Sequence, residues 1–405
     1  MSYFKDIIPS KFHYFTKFKE LTEIDFKIII AMLNGGPDSP RNASRIAREL
    51  KLLQQTVNYR VQRLDKGDLV RFRATINESL LGLENYAVVA TVKPGLAYDN
   101  KEGTAINAGT FMTCYPVWRL LSSACGGNAS GFFVLYAIPP KLKDLKAFFG
   151  RLKAIGCIEK IDEFCRVTQS HYNTPSLGSY LTIRRTAVQD QTATFDWEKW
   201  AYRCNETERA PIPENSPAEN QTHFTYEDLM ILFHLEKNAR EKFVEIGKSI
   251  GEPSSEVKKR YEEILNRHLI INCRAEIYPI DPVSSLHLTL KLSFTSNSGF
   301  RMFVSHLNEV PYPVFYQKAI DKDVLFMHTM IPCHEHFHFY NSLGLLNKLY
   351  GIIKNVNLYV GNYYSELNNI ALFEAFSKDE NKWMFSKDIM FQTLSRLIDE
   401  SKFKF

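Results

Sequence analysis

Several absences bound this 405-residue chain before any motif is read. No apolar run approaches the ~18 residues of a membrane span. The first residues, Met1-Ser-Tyr-Phe-Lys5, lack the apolar core of a secretory signal, so a cytoplasmic protein is expected. The seven cysteines are odd in number and scattered, and none forms a CxxC pair. That argues against a disulfide framework or a zinc ribbon and for buried free thiols. No phosphate loop, nucleophile elbow or zinc-hydrolase motif occurs. Charge of one sign is also scarce: a formal +5 permits a polyanionic partner without demanding one.

What is present is a long internal repeat. Residues 21–168 and 224–361 follow one plan in the same order. A period near 200 residues is a duplicated domain pair, not a solenoid. Each copy opens with three helical segments. In the first, Thr22 stands as an N-cap before Ile24, Ile28, Ile29, Met32 and Leu33, and Gly35-Gly36-Pro37 ends the helix. A second helix is expected over Ala43–Leu50 and a third over Gln54–Lys66, stopping near Gly67, with a strand over Leu69–Ile76. In copy two, Thr225, Ile246–Ile250, Val257, Arg260, Ile264 and Leu269 stand in the matching places.

Each copy then reads strand–helix–strand–strand–helix–strand. The strands are Tyr86–Val92, Val117–Ala124, Phe132–Ile138 and Ile158–Val167, and in copy two Leu286–Phe294, Val314–Ile320, Val324–Ile331 and Ile352–Val360. That order gives a four-stranded antiparallel sheet with two helices on one face, the ferredoxin-like arrangement. The fold class is therefore α+β, two helix-turn-helix units alternating with two sheet units. The expected divisions are 1–82, 83–202, a Pro- and Glu-bearing linker at 203–222, 223–282 and 283–405. The aromatic segments Phe195–Trp200 and Trp383–Phe385 are expected to pack back on their own sheets.

The third helix of copy one carries the functional signal. Val57, Val61 and Leu64 face the core, which turns Gln54, Gln55, Thr56, Asn58, Tyr59 and Arg63 outward. These residue types bond base edges and phosphates. Arg60 reaches either a phosphate or back to the first helix. Over residues 41–73, nine basic and three acidic residues leave a net +6, and Arg71 and Arg73 alternate along the following strand. A solvated basic face on a protein-binding head is the rival reading. Copy two, over 243–274, is nearly neutral at +1, though Ser255, Lys258, Lys259 and Arg260 still cluster at its third helix.

The pattern Ile46-Ala47…Leu50…Thr56-Val57…Arg60-Val61…Leu64…Gly67…Leu69-Val70…Phe72…Ala74 resembles the winged-helix signature of the Lrp/AsnC family of prokaryotic and archaeal regulators. The resemblance spans most of 21–168 and, more weakly, 224–361, and an archaeal source is the expectation. It implies winged helix-turn-helix heads and ferredoxin-like domains for assembly and effector sensing. The implied partners are double-stranded DNA, a second chain or an intrachain pseudo-dimer mate, and a small-molecule effector. No catalytic residue, metal or cofactor is implied, so a non-enzyme is expected. The Gly-Asp-Tyr-like turn that family members use for amino acids is missing from Cys125–Gly131. Siroheme decarboxylases resemble the same family and also pair two such units. They are the enzymatic alternative, with Arg119 and Tyr316 suggestive but the expected histidines not apparent. Cys333-His334-Glu335-His336-Phe337-His338 reads as a polar helix start before a metal site.

Overall fold

The structure, a computed structural model, describes residues 21–66, 70–93, 108–115, 117–126, 129–140, 142–173, 175–176, 178–179, 194–205, 222–276, 284–368, 370–384 and 387–401. The N-terminal arm, Gly67, Leu69, most of the linker and Phe385 lie outside them.

Head one is built from α1 (Glu23–Asn34), α2 (Ala43–Leu50), α3 (Gln54–Lys66) and β1 (Arg71–Ile76). Thr22 caps α1 as read, and Asp25 closes a capping box by accepting from the Thr22 backbone at 2.7 Å. Ile28, Ile29, Met32, Ile46, Val57, Val61 and Leu64 meet in one core. Copy one continues through β2 (Glu84–Val92), α4 (Ala108–Met112), β3 (Trp118–Gly126), β4 (Ala129–Ile138), α5 (Leu142–Ala154), β5 (Lys160–Val167) and β6 (His171–Asn173), then α6 (Trp197–Tyr202). Copy two repeats the plan with α7 (Tyr226–Lys237), α8 (Phe243–Ile250), α9 (Ser254–Asn266), β7 (Ile270–Glu276), β8 (Ser285–Phe294), α10 (Asn297–His306), β9 (Val314–Lys318), β10 (Val324–Pro332), α11 (His336–Tyr350) and β11 (Ile353–Asn368). A small β12–β13 hairpin (Phe376–Ser377, Lys382–Trp383) and α12 (Lys387–Ser401) follow.

Two pairings join the copies. The first is a two-stranded ribbon in which β1 and β7 run antiparallel, with Arg73 opposite Arg274. Phe72 and Ala275 feed the core of head one while Ala74 and Ile76 feed that of head two, so each head is completed by the other's strand. Around it the contacts are reciprocal at a spacing of 200: Arg41 donates to the Glu241 carbonyl at 2.7 Å, and Arg240 donates to the Pro40 carbonyl.

The second joint merges the sheets in the order β5-β2-β4-β3-β11-β8-β10-β9-β6. β5 and β6 are successive pieces of one stretch of chain, and Val167 bridges to Ala319 while Thr168 N–H bonds the Lys318 carbonyl at 2.8 Å. The sheet therefore closes into a barrel, leaving no long open edge. Strand alternation puts Ala87, Val89, Phe133, Leu135 and Phe326 inside, and Val88, Val134, Leu325 and Met327 outward against helices. The pairing of the two sheet units is thus intrachain.

The aromatic extensions depart from expectation. Trp197 and Trp200, 2% exposed, join the helical core of copy two, not the sheet they follow. Met390 and Leu394, with Trp383 packed beside them, join the core of copy one. Each copy is strapped by the other's tail, because both outer layers leave an apolar strip and the chain reaches the opposite one. Glu335 anchors the first strap: it is buried and accepts from Phe195 N–H at 3.1 Å, Trp197 Nε1 at 2.7 Å and Tyr312 Oη at 2.7 Å. Glu335→Ala leaves these donors unsatisfied. A loss of about 3 kcal/mol is expected in urea unfolding, with a red shift of tryptophan emission; an unshifted spectrum would show that the strap does not depend on this carboxylate.

Candidate functional site

The residues chosen from sequence for DNA contact fall into two groups. Gln54, Gln55, Asn58 and Tyr59 are exposed on α3, with Thr56 half-buried. The guanidiniums are committed elsewhere. Arg60 Nη1 lies 3.0 Å and Arg63 Nη2 2.5 Å from the carboxylate of Asp25, which is wholly buried. Burial alone would raise the Asp25 pKa, but hydrogen bonds from the Thr22 hydroxyl and backbone and from Arg60, with the Arg63 charge, hold it below the usual aspartate value. Head two repeats the device on Asp228, using Arg260 at 3.4 Å and Arg267 at 3.2 Å, while Arg260 Nε also meets Glu252 at 3.1 Å. Ser255, Lys258 and Lys259 are exposed on α9, Lys258 facing Glu262 at 3.8 Å.

The net +6 of head one is therefore largely spent internally. Arg41 packs over the rings of Phe243 and Tyr261, at 4.4 and 5.2 Å. Arg45 pairs with Glu49 at 2.9 Å. Arg73 pairs with Glu276 at 2.9 Å, and Arg71 is half-buried and engaged. Among the described side chains of 41–73, Arg48 and Lys51 are the exposed cations outside any ion pair. The Phe72, Ala74 and Ile76 side of β1 enters the heads, and its Arg73 and Thr75 side faces the barrel.

Between ribbon and barrel lies a polar cavity of about 70 Å³. Its head side is formed by Arg73, Thr75, Glu78, Glu236, Arg274 and Glu276, and its barrel side by Arg119, Leu135, Gln169, Gln317 and His328. Arg119, on β3, is buried between two carboxylates, with Nε 2.7 Å from Glu78 and Nη2 2.6 Å from Glu236. Burial would lower its pKa; Glu236 and Glu78 outweigh that and keep it charged. Glu276 spans Arg73 at 2.9 Å and Arg274 at 3.7 Å. His328, on β10, is 6% exposed, with Nδ1 3.1 Å from the Thr289 hydroxyl and its ring 4.5 Å from that of Phe133. Buried carbonyl oxygens of Gln169 and Gln317 have no partner here. Polar groups left open in a small enclosed space are characteristic of a ligand or water site.

Of the two residues that hinted at an enzyme, Arg119 reaches this cavity and Tyr316 does not. Tyr316 turns toward the helical layer of copy two and stacks on His171, ring centres 5.2 Å apart. His328, which sequence reading did not bring together with Arg119, lines the same cavity. It interrupts an apolar strand on the side of Phe326, which the alternation of β10 turns into the barrel. The 333–338 segment forms a turn and the start of α11, with Cys333, His334 and His338 exposed. Among the described residues no cluster of three or more His, Cys, Asp or Glu side chains is placed to hold a metal, and no helix is long and apolar enough to cross a membrane.

No family model and no curated protein matches the sequence. Among solved structures, the chain is similar to the crystal structure of the siroheme decarboxylase NirDL, with a TM-score of 0.50 and 11% identity over 94% of this chain and 99% of that one. The same decarboxylase with an iron-uroporphyrin III analogue matches with a TM-score of 0.49 and 10% identity over 92% and 99%. At this identity the likeness speaks for the fold: winged-helix heads joined to ferredoxin-like domains, end to end. It also corrects one expectation. The architecture taken from sequence as that of a non-enzyme serves a decarboxylase along nearly its whole length, so the expectation of a non-enzyme does not stand.

Proposed function

We propose that this chain is an enzyme of the decarboxylase type, working on a tetrapyrrole-borne carboxylate at the cavity between ribbon and barrel. The observation that carries the reading is the convergence of His328 and three guanidiniums, from Arg73, Arg119 and Arg274, on one enclosed space. At about 70 Å³ that space matches a single acid arm, with the macrocycle lying outside it. Loss of carbon dioxide leaves an electron pair on the arm's carbon, and a proton must fill it. His328 is the group at the cavity wall suited to hold that proton. Glu276 makes its longer contact to Arg274, and an incoming carboxylate exchanges there at least cost.

The test is anaerobic titration of the full chain with siroheme, read by the shift of its absorbance band, then mass analysis for loss of carbon dioxide. Binding without His328→Ala activity is expected, the rate falling by about 100-fold while affinity changes little. No spectral shift up to high micromolar pigment overturns the proposal.

DNA binding is the second reading, favoured by the exposed, acid-free Gln54, Gln55, Asn58 and Tyr59 face of α3. With Arg48 and Lys51 as the exposed cations outside ion pairs among its described side chains, head one would neutralise few phosphates. The log–log salt slope expected for duplex DNA is then about −2, not the −5 or steeper of a six-cation head. A steep slope in fluorescence polarisation would show that Arg60 and Arg63 leave Asp25 on binding.

A further inference from the structure

The barrel interior holds a second cavity at its far end, about 20 Å³, enough for one water. Val89, Phe133, Phe326, Asp162, Lys291 and Thr289 line it. Between it and the ribbon-side cavity the rings of Phe133 and Phe326, centres 5.6 Å apart, fill the interior. A polar connection crosses that apolar plug. Thr289 lines the far cavity, His328 lines the near one, and the two are direct cross-strand partners on β8 and β10. Their hydroxyl and Nδ1 lie 3.1 Å apart.

We infer that Thr289 is a positioning residue that returns solvent protons to His328 from the far cavity while the near cavity is closed by bound substrate. This rests on the reading of His328 as the proton donor. Each turnover breaks the carbon–carboxylate bond, releases carbon dioxide and leaves an electron pair on carbon. That pair takes the proton of His328 Nε2. As that proton leaves, Nδ1 takes the Thr289 hydroxyl proton and the hydroxyl is refilled in the same hop by a proton from water in the far cavity, which leaves the ring as its Nδ1–H tautomer. Once product has gone, Nε2 takes a solvent proton at the reopened near cavity and Nδ1 returns its own through Thr289. One solvent proton enters and one leaves on the product; threonine is unchanged. A hydroxyl suits the position because it donates and accepts at once. The charged groups facing the pair are the Arg119–Glu78–Glu236 and Arg73–Glu276–Arg274 sets on the near side, and Asp162 and Lys291 on the far side. Lys291 is itself held by Glu163, which Lys322 meets at 2.9 Å, so the far mouth is ionic and wettable.

Two measurements on the full chain test this. With ¹⁵N-labelled histidine, hydrogen–deuterium exchange at His328 Nδ1 is expected to slow by about tenfold in Thr289→Val, the rate equivalent of one hydrogen bond, and to recover in Thr289→Ser. With siroheme as substrate, Thr289→Val is expected to lower kcat by a similar factor at unchanged KM, again rescued by serine. Unchanged exchange in Thr289→Val overturns the relay even if siroheme is turned over. Slowed exchange in a chain inert toward siroheme keeps the connection and removes the decarboxylase reading instead.

Discussion

Asp25→Ala is expected to cost the first head about 3–5 kcal/mol, the range for removing one partner of a buried charge set. The carboxylate is wholly buried and does two tasks: it closes the capping box of α1 and receives Arg60 and Arg63 from α3. Its loss leaves Arg60, 22% exposed, with the Thr22 hydroxyl in place of a carboxylate; Arg63, at 37% exposure, recovers water more easily and contributes the smaller share. Urea unfolding should show head one melting first, and Asp228→Ala should do the same to head two through Arg260 and Arg267. A loss below about 1 kcal/mol would mean that the arginines find other partners. The pH dependence has a fixed sign. Because the folded-state pKa of Asp25 is depressed, its contribution is fully present above the unfolded aspartate value, about 3.9, and disappears as pH falls through the lower folded value. Asp25→Asn should flatten that acid limb.

Arg119→Met is the second large effect, and a different one. Arg119 comes from the copy-one sheet, Glu78 from the turn after β1 and Glu236 from α7 of the second head, so a single guanidinium ties three parts of the chain. Without it, the two buried carboxylates lose the guanidinium they share. A loss of about 3–5 kcal/mol is expected, with faster hydrogen exchange at β1 and β7 as the ribbon lifts from the barrel. The triple variant Arg119→Met, Glu78→Gln, Glu236→Gln removes the stranded charges, and most of the stability should return. If the triple variant is no better than Arg119→Met, the cost lies in packing and not in charge. The same variants should lose siroheme binding whatever their stability, which separates the support of the site from its use.

The elements that were readable in the sequence are those whose period announces them. Thr22 and Thr225 opened helices because an N-cap and its Asp partner three residues on are local. The strands of both copies were readable to within a few residues because alternation is local too, except that β11, expected to end at Val360, runs on to Asn368. What could not be read was how charges are shared. Arg63 looks from sequence like Gln54 and Asn58, a polar position on an outward face, whereas for Arg60 a reach back to the first helix was already one of two readings. Only the packing of α3 against the start of α1 turns them onto Asp25. The wing strand after α3 was readable as a strand, but its alternation gives two faces without saying that one of them meets a barrel. Glu78 and Glu236, some 160 residues apart in sequence, had no local signal at all. His328 had one, a single imidazole in an apolar strand, which nothing local connects with Arg119.

The exchanged straps carry a consequence for how such a chain can be divided. Trp197 and Trp200 complete the outer layer of the half that follows them, and Met390 and Leu394 complete that of the half long before. Neither half owns a finished interior. Severing the backbone between residues 206 and 221 should therefore yield two polypeptides that stay together, whereas either one made alone would present the bare strip its absent mate normally covers. A gene of this kind is expected to tolerate being split in two, and not to tolerate being shortened to one half.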